Sequence, residues 1–90
     1  MSVEVEIASV FMSYFNGNKK VKAEGNTVGE CLKYLSEEFP STKNMFIDGE
    51  GKIQNHFDVF LNGESTQHTG CDTPVKDGDK IDLVYLIHGG

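Results

Sequence analysis

Cysteine is scarce in this 90-residue chain: Cys31 and Cys71 stand far apart, and no C-x-x-C occurs. That excludes a zinc-ribbon or thioredoxin-type motif, and two cysteines fall short of a disulfide framework. Basic residues are also few. Eight of them face fourteen acidic residues, for a formal net charge of −6. Nucleic acid, whose phosphates call for a basic face, is a poor partner for such a chain. So is an anionic membrane surface. No stretch approaches the roughly 18 apolar residues of a membrane span, and no basic segment with an apolar run opens the chain. The expectation is a soluble, cytoplasmic protein. His56, His68 and His88 have no ligand spacing, so no metal is expected. Gly49 and Gly51 precede no G-K-[ST] and form no phosphate loop.

What is present fits one domain. A chain of this size buries about 60–70% of its unfolded surface, which leaves little room for a deep substrate cavity. Val3, Val5 and Ile7 alternate with Glu4 and Glu6, a strand that begins residues 3–11 and changes phase after Ala8. Asn16-Gly17-Asn18 is turn chemistry. Residues 19–24 read as a second strand with Val21 and Ala23 on one side, so the first third is expected to be a hairpin. Residues 27–39 are the clearest helix. Thr27 and Glu30 form a capping box, and Val28, Cys31, Leu32, Leu35 and Phe39 form one apolar stripe. Pro40 ends it. Cys31, on that stripe, reads as a small buried hydrophobe.

Phe57, Val59 and Leu61 alternate with Asp58 and Phe60 in a third strand that ends in an Asn62-Gly63 turn. Residues 64–74 are polar and expected to be irregular. Asp77-Gly78-Asp79 is another tight turn. A final strand over residues 80–87 places Ile81, Leu83, Tyr85 and Ile87 on one face, read as the core face. The order is strand, strand, helix, strand, strand: an α+β domain with one main helix packed across a sheet.

Three features together resemble the ubiquitin-like sulfur carriers of the MoaD and ThiS family. They are this element order, the segments V-F-L-N-G-E (59–64) and D-T-P-V-K-D-G-D-K-I (72–81), and the terminal Gly89-Gly90. The likeness looks closest to the MoaD-like branch that includes carriers for cysteine biosynthesis. Many members carry a proline shortly before the diglycine. Here Tyr85-Leu86-Ile87-His88 stands in that place, and the Leu-x-His-Gly-Gly ending resembles the ubiquitin-related modifier branch. The resemblance implies a β-grasp fold with a mixed sheet, a domain over residues 1–88 and a flexible tail at 89–90.

It also implies chemistry. The Gly90 carboxylate, preceded by Gly89, would be adenylated by a separate ubiquitin-activating-type enzyme and converted to a thiocarboxylate. The chain would be a co-substrate and not itself an enzyme. No cofactor would be bound, and ATP would be used by the partner. A sulfide or persulfide donor would supply sulfur, and a biosynthetic enzyme making molybdopterin, thiamine or cysteine or homocysteine would receive it. The alternative is a modifier joined to lysines through Gly90. Glycine suits such a tail because it lacks a Cβ and threads a narrow channel. Two terminal glycines arise by chance in only about one chain in 200.

Val84 and Leu86 oppose the core set on the last strand, beside Lys80, Asp82 and His88, and Phe60 has the same parity on its own strand. Apolar residues on a polar face next to the tail mark a binding patch. In this family the activating enzyme docks there, so Val84, Leu86, Phe60 and His88 are the expected partner-binding residues. Cys71, in a polar loop with no basic neighbours, is expected to be a free surface thiol.

Overall fold

The computed structural model describes residues 1–86. Alternation makes β1 (Ser2–Glu6), with Val3 and Val5 buried and Glu4 and Glu6 on the opposite face. β2 (Lys20–Glu24) pairs with it antiparallel, setting Ala23 beside Val3 and Val21 beside Val5. Lys20 Nζ lies 3.5 Å from Glu4 Oε1 and 3.8 Å from Glu6 Oε1. Such exposed pairs contribute at most about 1 kcal/mol. The lysines along β2 also keep this edge strand from recruiting another chain.

The strand that opens residues 3–11 stops at Glu6, two residues before the phase change after Ala8, and the hairpin is not joined by its turn alone. A 3-10 helix, Ser9–Phe15, fills the connection. It forms because Phe15 can then sink fully into the core, between Phe39 at 5.0 Å and Phe46 at 6.0 Å. Burying such a side chain contributes about 1.5–3 kcal/mol. Asn16 and Gly17 close the helix with positive φ of 58° and 80°, and the Gly17 N–H donates to Met12 O at 2.8 Å.

Helix α1 (Val28–Glu38) begins as its capping residues dictate. Thr27 Oγ1 accepts the Glu30 N–H at 3.2 Å, and Glu30 Oε1 accepts the Asn26 N–H at 2.8 Å, one residue earlier than a regular capping box. Val28, Cys31, Leu32 and Leu35 are buried against the sheet. On its other flank α1 meets the short 3-10 turn Gly70–Asp72 at Gly29. A Cβ on Gly29 would lie 2.8 Å from Cys71 Cβ, so glycine is what lets the two approach.

β3 (Phe57–Leu61) continues through Asn62 and Gly63, φ 52° and 86°, into β4 (Glu64–Ser65). β4 corrects the expectation of an irregular segment after residue 63. β5 (Lys80–Tyr85) ends two residues before the expected 87, and Ile87 lies outside the described residues. The sheet order is β2-β1-β5-β3-β4. β5 runs parallel to β1, with Glu4 beside Lys80 and Val5 beside Ile81, and antiparallel to β3, with Val59 beside Leu83. This mixed sheet with one helix across it is the β-grasp arrangement. Ile81 and Leu83 are buried as expected, but Tyr85 is corrected: it keeps 46% of its surface exposed. It has passed the end of the core and lies against Phe11 and Phe57 at the rim, 5.8 and 5.5 Å between ring centres.

The turn before β5 is tied to the start of β1. The Ser2 N–H donates to Asp77 Oδ1 (2.7 Å), the Gly78 N–H to Ser2 O (3.0 Å) and the Glu4 N–H to Asp79 O (2.9 Å). Asp79 Oδ2 accepts the Lys76 N–H at 2.7 Å, and Oδ1 accepts the Asn62 side-chain amide at 3.1 Å. Those two donors, the Asn62 amide first, hold the Asp79 carboxyl below its ordinary value.

Two outcomes follow from this turn. Gly78 sits at φ +85°, where a β-branched residue is strained by about 1–3 kcal/mol. Gly78→Val should lower the melting temperature by roughly 4 °C or more, followed by circular dichroism. An unchanged melt would mean that the turn does not set the strand. A depressed folded-state pKa stabilises above the unfolded value and is lost as pH falls through the folded one. Asp79→Asn should therefore lower the melting temperature at neutral pH, and the gap to wild type should close below about pH 4. A gap that stays constant on acidification would show that the charge is not what matters.

Candidate functional site

The last described residues of the chain are held against β3. Phe57 is paired with Tyr85, and the next N–H, that of Leu86, donates to His56 O at 2.8 Å. Among the described residues the backbone pairing thus runs one residue past β5. Gly89, Gly90 and His88, the expected tail and its neighbour, lie outside the described residues.

The two faces of β5 differ as their parity requires. On the face away from α1, Asp82 and Val84 are half-buried, with Phe60 beside Asp82 and Asp58 beside Val84. Phe60 and Val84 together line a shallow hollow of about 300 Å³ with Ala8 and Ile7. The structure brings this pair together. Leu86 has the same parity but borders a different and larger hollow, about 710 Å³, between residues 50–58 and 66–72. Leu86 is thus also set beside a polar groove.

That groove holds Asp58, to which the sequence reading gave no role. Asp58 is buried on the outward face at 6% exposure. Its Oδ1 accepts the Val59 N–H at 2.8 Å, and its Oδ2 accepts the Ser65 hydroxyl at 2.7 Å. Two donors replace the water it has lost, as burial of a polar group requires. The only sequence signal was its place opposite a short polar stretch that can curl over it. His68 and Cys71 also line the groove.

Neither thiol is activated. Cys31 is fully buried, and burial pushes its pKa up to about 11. Cys71 is half-buried rather than openly exposed. Burial, and then the adjacent Asp72 charge, push its thiol up, while the Ile53 backbone N–H opposes them. Among the described residues no group of three or more His, Cys, Asp or Glu side chains could hold a metal ion, and no helix is long and apolar enough to cross a membrane.

Comparison with known proteins settles the class. The family model described as the ThiS family matches residues 11–90. The chain belongs to that family, among the ubiquitin-like sulfur carriers. It is 26% identical over 93 residues to the sulfur carrier protein CysO of Mycobacterium tuberculosis, with all of both chains covered. A solved structure of the Amycolatopsis orientalis BexX/CysO complex matches with a TM-score of 0.88 at 28% identity, over 98% of this chain and 99% of that one. Ubiquitin-related modifier 1 of Encephalitozoon cuniculi is 34% identical over 65 residues, 71% of this chain and 68% of that protein.

The thiols provide a check on the site. Maleimide at mildly alkaline pH should label the folded protein once, at Cys71 and more slowly than free cysteine, because little thiolate is present. Cys71→Ser should abolish that label. Cys31 should react only on unfolding, and intact-mass detection of a Cys31 adduct on folded protein would contradict its burial.

Proposed function

We propose that this chain is a sulfur carrier whose Gly90 carboxylate is activated as an acyl-adenylate and converted to a thiocarboxylate. One observation carries the reading most directly. β5 sits in the middle of the sheet, and the Leu86 N–H is held by His56 O, so the residues that follow start from a rigid base. The half-buried apolar pair Phe60 and Val84 lies on the sheet face that leads to that base. Family membership and the likeness to CysO support the same reading.

The chemistry needs no catalytic group from the carrier. A carboxylate is a poor electrophile because its charge and resonance repel nucleophiles. Attack by a Gly90 carboxylate oxygen on the α-phosphorus of ATP expels pyrophosphate and leaves a mixed anhydride. Sulfide then attacks the acyl carbon, and AMP departs with the activated oxygen. The product is the thiocarboxylate, with no net redox change. If the sulfur comes as an enzyme persulfide, the first product is an acyl disulfide, and a thiol must reduce it to free the thiocarboxylate. The adenylating enzyme supplies the ATP site, and a biosynthetic enzyme accepts the sulfur. The chain would be a co-substrate of both. The likeness to ubiquitin-related modifier 1 favours a second reading, conjugation of the same activated carboxyl to lysine amines.

Mass spectrometry of protein from its native cells separates the two. Replacement of one Gly90 oxygen by sulfur identifies the carrier, and a glycine remnant on lysines of other proteins identifies the modifier. Deleting Gly90, or adding one alanine after it, should abolish ATP–pyrophosphate exchange by the cognate enzyme without changing the melting temperature. Normal adenylation of the extended chain would overturn the proposal.

A further inference from the structure

Apolar surface gathers on the side of β5 opposite the Phe60 and Val84 face. Among the described residues four large hydrophobic side chains are exposed: Met1, Val10 (68%), Tyr14 (40%) and Tyr85 (46%). The last three belong to two elements that meet through one ring. Phe11 stacks on Tyr85 with 5.8 Å between centres and lies 6.5 Å from Tyr14. Val10 and Tyr14 sit with Phe11 on the 3-10 helix Ser9–Phe15. Scattered exposed apolar residues are ordinary, but an aromatic group of this kind is a recognition feature.

The surroundings strengthen the point. Residues 7–18 contain no aspartate, glutamate, lysine or arginine, in a chain that is 24% charged. An uncharged rim with exposed aromatics matches the centre of a protein–protein contact, where charge is depleted and tyrosine enriched. Tyr85 precedes Leu86, whose N–H is fixed to His56 O. Gly90 follows four residues later, and a chain spans at most about 3.3–3.6 Å per residue. Whatever path it takes, Gly90 lies within about 14 Å of Leu86. An enzyme that acts on Gly90 must bring its ATP site that close, and its body then covers the ground around Tyr85.

We propose that Val10, Phe11, Tyr14 and Tyr85 form a second docking surface, used by the adenylating enzyme that receives the tail. This deepens the sulfur-carrier reading and rests on it. The enzyme presents an uncharged, aromatic-accepting surface to this side while Phe60 and Val84 meet it on the other. Gripping β5 from both faces fixes the direction in which the tail departs. A contact on one face alone would leave the tail free to swing about the sheet.

The test is ATP–pyrophosphate exchange by the cognate enzyme, measured against carrier concentration for wild type, Val10→Asp and Tyr14→Asp. Both substitutions should raise the carrier KM about tenfold or more, the scale of losing an aromatic anchor. They should leave kcat within about twofold, since no group at the reacting atoms changes. Melting temperatures should match wild type. If Tyr14→Asp melts early, Val10→Asp decides, because Val10 is two-thirds exposed. A KM within about twofold of wild type for a folded Val10→Asp protein overturns this surface and leaves the carrier reading standing. A wild-type chain that supports no exchange overturns the carrier reading, and this inference with it.

Discussion

The parallel pairing of β1 with β5 is the constraint on which the rest of the structure depends. Glu4, Val5 and Glu6 lie beside Lys80, Ile81 and Asp82, so segments from the two ends of the sequence form the centre of the sheet. Parallel neighbours cannot be joined by a tight turn and require a long crossover. α1 and β3 lie within that crossover, and α1 covers the apolar face that β1 and β5 share. The Asp77-Gly78-Asp79 turn completes the arrangement by hydrogen-bonding to Ser2 and Glu4 as β5 begins. Loss of that pairing would leave two separate hairpins with no common core.

The same pairing encloses β5 within the sheet. With β1 on one side and β3 on the other, β5 has no free edge, and the Leu86 N–H is spoken for by His56. The polar interior is equally well settled. No buried side-chain nitrogen or oxygen lacks a partner among the described residues, and even Asp58 is met by two donors. The two cysteines are held as thiols by burial.

Legibility in the sequence followed the strength of local signals. β1, α1 and β5 were readable because each carries a strict period over several residues, and Thr27 and Gly78 mark boundaries with one physical role each. The 3-10 helix was missed because S-V-F-M-S-Y-F has no strand or α-helix period. Its signal was the phase change after Ala8 followed by Asn16-Gly17, a left-handed stop. β4 was missed because Glu64 and Ser65 bury nothing, and the Asn62-Gly63 turn was the sign of a partner strand. Tyr85 carried the right parity but lay one step beyond the end of the core, which alternation alone cannot reveal. Leu86 shares the parity of Val84, and the hollow it borders with residues 66–72 left no sign in that parity. The order of strands was not legible at all, since pairing across some 75 residues leaves no local trace. The family resemblance supplied the fold; the role it implies for the diglycine falls on residues 89–90, outside the described structure.

Placing a late segment in the middle of the sheet also affects how the protein is made. During synthesis β1, β2 and α1 emerge first, yet the sheet has an open seam until residue 85 is free of the ribosome. A chain broken off before residue 80 would expose both sides of that seam, with unpaired backbone on β1 and β3. It would be marked for chaperones and proteases. Folding thus acts as an inspection of the message: only a chain translated through β5 can hold the shape an enzyme would recognise.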